Sequence, residues 1–106
     1  PMPEINVNGT AFEVDEDGFL VNLSDWTEEM AVFLAKEEGV EELSEDHWKL
    51  INYLRGYFKD YGIAPMVRKM TKESGYSLKE IYDLFPSGPA KGACKVAGLP
   101  KPTGCV

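Results

Sequence analysis

A chain of 106 residues with 43% hydrophobic content has room for one domain and one modest core, which excludes a two-domain enzyme. No run approaches the roughly 18 consecutive apolar residues of a membrane-spanning helix, and the opening Pro1-Met2-Pro3-Glu4 lacks the basic, then apolar, pattern of a leader. A soluble, cytoplasmic protein with no membrane insertion is expected. The net charge of −7 hides a division: residues 1–46 hold 14 Asp and Glu against Lys36, whereas residues 47–106 hold 10 Lys and Arg against 4 Asp and Glu. The two halves face different partners, or each other. After Asp83 the chain carries Lys91, Lys95 and Lys101 and no acidic side chain, so its last stretch is cationic and draws anionic substrates or acidic partners.

The opening reads as strands. Ile5-Asn6-Val7 and Thr10 to Val14 flank Asn8-Gly9, a pair suited to a type I′ hairpin because both residues must take positive φ. Glu16-Asp17-Gly18 is a second turn, and Phe19-Leu20-Val21 is a candidate third strand. Ser24 or Asp25 is then placed to cap a helix whose Trp26, Met30, Phe33 and Leu34 share one face, with Gly39 as its stop. Ser44 caps a second helix with Trp48, Ile51, Leu54, Phe58 and Tyr61 along one side, ended by Gly62. Pro65 suits the first position of a third helix carrying Met66, Val67 and Met70, with Gly75 as its stop. Ser77-Leu78-Lys79-Glu80 is a capping box for a fourth, with Ile81, Leu84 and Phe85 inward and Pro86 as the break. A short fifth helix follows from Ala90 to Ala97. Beyond Gly98, the prolines of Leu99-Pro100-Lys101-Pro102-Thr103-Gly104-Cys105-Val106 exclude helix and disfavour a central strand. The expected fold is mainly α: a small orthogonal bundle of about five helices, residues 1–98, opened by a hairpin within 1–21 and followed by a flexible arm, 99–106. Eight extended residues reach at most ~29 Å, enough to enter another protein.

Two cysteines are too few for a disulfide-stapled framework, and with one His far upstream they have no zinc spacing, so neither metal nor cofactor is expected in this chain. Cys105 is the first candidate for chemistry. A thiolate is the sulfur nucleophile, and exposure beside cations such as Lys101 raises its reactivity, although a terminal carboxylate one residue away acts in the opposite sense. Gly104 thins the tip, and Pro100 and Pro102 stiffen the stalk. The competing reading is an inert, frayed end. Cys94 is either a small buried hydrophobe among Ala90, Ala93, Val96 and Ala97, or a resolving thiol reached when the arm folds back over Gly98 and Gly104. His47, in the first turn of a helix, reads as surface or cap decoration, and Trp48, Tyr53, Tyr57, Phe58 and Tyr61 as core and rim. Residues 65–85 admit a helix-turn-helix reading with Arg68, Lys69, Lys72 and Lys79 as phosphate contacts, but the segment nets only +1 on an acidic chain, which disfavours nucleic acid.

Leu84-Phe85-Pro86-Ser87-Gly88-Pro89-Ala90-Lys91, Ala97-Gly98-Leu99-Pro100-Lys101-Pro102 and Gly104-Cys105-Val106 together resemble the DsrC/TusE family, the gamma subunit of dissimilatory sulfite reductase and its sulfur-relay relatives. The likeness extends to Asp25-Trp26-Thr27-Glu28-Glu29 and Tyr61-Gly62-Ile63-Ala64-Pro65. It implies a protein co-substrate whose Cys105 reaches the sirohaem of catalytic subunits that also carry iron–sulfur clusters, receives sulfur there as a persulfide, and closes with Cys94 into a trisulfide. A membrane-bound complex would open that trisulfide again, and sulfurtransferases are further partners. In the relay branch, which serves tRNA thiolation, the position of Cys94 is not a cysteine, so this sequence resembles the sulfite-reductase branch. The alternatives are the relay role and a helix-turn-helix DNA-binding regulator.

Overall fold

Asn8 and Gly9 turn the chain with φ of 49° and 90°, the pair of positive values that a type I′ turn requires. Around them β1 (Glu4–Val7) and β2 (Thr10–Glu13) pair antiparallel, with Ile5 opposite Phe12 and Val7 opposite Thr10. The structure, a computed structural model, describes residues 2–102. The expected third strand is only a bridge between Val14 and Leu20. The Asp15 carboxylate accepts the N–H groups of Asp17 (2.8 Å) and Phe19 (3.0 Å), closing a turn that drops Phe19 into the core.

The first helix starts later than its apolar spacing suggests. The Asn22 side chain accepts both the N–H (3.1 Å) and the hydroxyl (2.7 Å) of Ser24, which spends that hydroxyl on a single 3-10 turn, Leu23–Asp25. Thr27 rather than Ser24 or Asp25 caps α1 (Glu28–Glu37), and Trp26 sits in the extended link between them. The second element, α2 (Glu45–Tyr61), runs from Ser44 to Gly62 as its sequence dictates, with Leu50, Ile51 and Leu54 buried. Tyr61, expected on the apolar side, is exposed. Next come α3 (Val67–Ser74) and α4 (Leu78–Leu84), joined through Gly75 in the left-handed region. Pro65 lies two residues ahead of α3 and is buried, and Met66 takes the cap position without a capping side chain. Ser77 and Glu80 form the capping box of α4.

The last helix is a π-helix, Pro89–Cys94, which winds into a short helical end at Lys95 and Val96. Its wide turn is recorded by the Lys95 N–H donating to the Ala90 carbonyl five residues back. Gly92 makes its packing possible, since a Cβ there would stand 2.9 Å from the Phe85 Cβ. This helix packs on α2 and α4, and its Ala93, Cys94, Val96 and Ala97 join Leu50, Ile51, Leu54 and Phe85 in the core. The acidic and basic halves of the chain meet each other here: Lys95 is buried and pairs with Glu38 of α1's end at 2.9 Å, while Lys101 pairs with Asp17 of the second turn. Among the described residues, no helix is long and apolar enough to cross a membrane.

Candidate functional site

Where the last helix stops, four backbone carbonyls lose their helical partners and must find others. All four are accounted for. Gly98, at φ +77°, donates its N–H to Lys95 O (3.0 Å), and Leu99 donates to Cys94 O (3.1 Å), the paired bonds of a Schellman stop. The next two are claimed by side chains from elsewhere in the chain: Trp26 Nε1 donates to Val96 O (2.9 Å) and the Arg55 guanidinium to Ala97 O (2.8 Å). Arg55 also lies 3.7 Å from the centre of the Trp26 ring, so the two donors brace one another. Gly98 is pressed beneath that ring: a Cβ there would stand 2.3 Å from Trp26 Cδ1. A residue expected as a hinge is a clamped stop.

This clamp fixes how the tail leaves the body. Leu99 is buried in the core and Pro100 half-buried. Lys101 then reaches Asp17, whose carboxyl it holds below the usual carboxylate range by hydrogen bonding and charge. Pro102 joins Phe19, Tyr82, Pro89, Ala90 and Lys91 in lining a groove of about 200 Å³. Gly104 and Cys105 lie outside the described residues, so their expected roles at the tip are not located by this geometry.

Cys94 is fully buried, and burial pushes its thiol up to about 12. Such a thiol is almost wholly protonated at neutral pH and has no path to a reagent without local opening. Among the described residues, no group of three or more His, Cys, Asp or Glu is gathered that could hold a metal ion.

His47 does more than decorate a cap. Its Nδ1 accepts the Ser44 N–H (3.0 Å), which leaves the proton on Nε2 to be donated to Leu84 O (2.7 Å), while its ring meets Phe85 edge-on at 5.0 Å. It thereby ties the start of α2 to the end of α4. Of the four cations in the helix-turn-helix reading, Lys69 pairs with Glu73 and Lys79 with Asp83, leaving Arg68 and Lys72 without an ion pair among the described residues.

The residues that the sequence reading missed are Trp26 and Arg55. One signal was present for Arg55: it stands four residues after Ile51 and three before Phe58, a cation set into the apolar stripe of α2.

Comparison with known proteins matches residues 6–106 to the family model described as "DsrC like protein". The chain is 56% identical over 105 residues to the gamma subunit of the dissimilatory-type sulfite reductase of Nitratidesulfovibrio vulgaris, covering 99% of this chain and 100% of that protein. To the sulfurtransferase TusE of Escherichia coli it is 39% identical, over 92% of this chain and 95% of the relative. Among solved structures, the crystal structure of the oxidized gamma subunit (DsrC) of Archaeoglobus fulgidus superimposes with a TM-score of 0.85 at 52% identity, over 98% of this chain and all of that one.

Proposed function

The chain belongs to the DsrC-like protein family, and on that premise we propose that it is a cytoplasmic sulfur carrier serving the catalytic subunits of a dissimilatory sulfite reductase. Cys105 bears the sulfur, Cys94 is the second thiol, and Pro100, Lys101, Pro102 and Gly104 form the stalk that presents Cys105. The observation that carries this reading is the likeness to the N. vulgaris gamma subunit over nearly the whole chain. Two further points support it. The clamp at Gly98 gives a tail a fixed root on the body, as a presented thiol requires, and the sealed Cys94 thiol leaves first encounter to Cys105.

In the proposed reaction, sulfite sulfur becomes the central atom of a trisulfide between Cys105 and Cys94. That atom gains four electrons, two from the oxidised thiols and two from the catalytic subunits. The three sulfite oxygens leave as water, taking up the two thiol protons and four from solvent. Four electrons and four protons, delivered by a membrane-bound reducing complex, then return both thiols and release hydrogen sulfide. Closure needs the π-helix to open far enough to expose Cys94.

The test is intact mass after turnover of sulfite by reduced catalytic subunits. The wild type should gain one sulfur atom less two hydrogens, Cys94→Ser should carry sulfur without closing, and Cys105→Ala should gain nothing. Sulfur uptake indifferent to Cys105→Ala would sink the proposal. Gly104→Trp should block coupling without lowering the thermal midpoint. A second reading, the TusE-like relay, is favoured by the likeness to that relative. In it Cys105 takes a sulfane sulfur from a donor persulfide, releasing the donor's thiolate, and Cys94→Ser would leave sulfur throughput unchanged.

A further inference from the structure

Three large apolar side chains are more than 60% exposed among the described residues: Tyr61 (66%), Ile63 (61%) and Met66 (74%). They fall within six consecutive residues, from the last residue of α2 to the cap of α3. Single exposed apolar residues need no explanation, but a contiguous group marks a surface that something covers. Ile63 and Met66 of this group line an open groove of about 710 Å³, walled by Tyr57 of α2 and by α3, with Arg68, Lys69 and Lys72 on its α3 side. Glu73, the one acid in that lining, is already engaged by Tyr53 (2.8 Å) and Lys69 (4.0 Å). An apolar floor with an uncompensated cationic edge, on a chain of net charge −7, is a local reversal of the protein's own sign.

We propose that this groove docks the protein that takes up the arm, by seating an apolar side chain of that partner over Ile63 and Met66 and setting partner carboxylates against Arg68 and Lys72. The occupant is argued from charge and from position. Cations alone would suit a nucleic-acid backbone, but phosphate contacts gain nothing from an exposed Ile and Met beside them. The position points to the arm's recipient: one turn of α2 serves both features, since Arg55 holds the arm's root while Tyr57, two residues on, lines the groove. A partner seated there is oriented relative to the root of the arm. The inference rests on the carrier reading given above.

The test measures binding of the full-length protein to purified sulfite reductase catalytic subunits, across a salt series. Arg68→Glu with Lys72→Glu should weaken binding about tenfold or more and flatten its salt dependence. Met66→Ser is the discriminating variant. Met66 is the uncapped N-terminus of α3, so a serine supplies a missing capping hydroxyl; affinity should fall while the thermal midpoint holds or rises. In parallel, each variant is loaded with inorganic polysulfide and weighed intact, a readout of Cys105 that involves no docking.

Wild-type affinity retained by both variants overturns the docking surface and leaves the carrier reading standing if Cys105 still loads. Failure of the wild type to bind the catalytic subunits overturns the docking proposal, and failure to load Cys105 overturns the carrier reading separately. If the charge reversal instead abolishes binding to duplex DNA at physiological salt, or dissolves a dimer of this chain in sedimentation, and leaves the catalytic subunits bound, the groove has a different occupant and the proposal is wrong.

Discussion

Gly98→Ala tests the clamp at the root of the tail. The new methyl group would stand 2.3 Å from Trp26 Cδ1, 2.6 Å from Cγ and 2.9 Å from Cβ, where ordinary contact begins near 3.4 Å, so the ring must retreat by about 1 Å. It cannot retreat freely, because Nε1 is bonded to Val96 O and Arg55 lies against its face. Stripping that carbonyl of its donor costs about 1–3 kcal/mol, and disturbing the Arg55 stacking about 0.5–1 kcal/mol. Holding alanine at φ +77° adds about 1 kcal/mol, offset in part by the smaller freedom of the unfolded chain. The net loss is about 3 kcal/mol, which for a domain of this size lowers the thermal midpoint by about 12–20 °C. Gly75→Ala is the control: its φ is +82°, but nothing lies within 4 Å of a Cβ there, so only the backbone cost of about 1 kcal/mol remains. Urea and thermal unfolding followed by circular dichroism would compare the two. If Gly98→Ala is no worse than Gly75→Ala, the ring has room and the clamp is not rigid.

The elements were legible in the sequence where capping chemistry is local. Ser44 with Gly62, Ser77 with Glu80, and Asn8-Gly9 each specify a terminus or turn through residues no more than a few positions away, or through a glycine at the required φ. Misreadings arose where a distant partner or a competing local bond decided. Asn22 took the hydroxyl of Ser24 and moved the start of α1 to Thr27, which left Trp26 outside the helix whose face it seemed to share. His47 was visible as a cap but not as the donor to Leu84 O, 37 positions on. The clamp was the least legible, because Trp26 and Arg55 reach Val96 and Ala97 across 70 and 42 positions. Periodicity could place the last helix but not its π winding, nor the close approach of Gly92 to Phe85 that its packing needs.

Three further outcomes are expected. His47→Ala should cost about 2 kcal/mol in urea unfolding by removing the reciprocal cap and the bond to Leu84 O, while His47→Gln, a side chain suited to the third position of a capping box, should cost about half as much; equal losses would mean the cap is inert. Asp17 titrates below the usual carboxylate range because Lys101 bonds it, so the pair persists above that range and is lost as pH falls through the lowered value; Lys101→Ala should move Asp17 upward in an NMR titration, and no movement would place Lys101 elsewhere. The last concerns Cys94, whose thiol burial raises from 9.0 to about 12. Between those values the folded protein keeps a proton that the unfolded chain has lost, so the stabilisation is complete below pH about 9 and declines above it, by up to about 1.4 kcal/mol per pH unit. Cys94→Ala should remove that decline, measured as the difference in alkaline unfolding between variant and wild type, in which the tyrosines cancel. The same burial sets reactivity: iodoacetamide at pH 8 should label the native protein once, at Cys105, and a second time only in urea. Two labels gained at equal rates in the native protein would show that the π-helix opens readily enough to make Cys94 as reactive as Cys105, and the proposed order of the two thiols would have no structural basis.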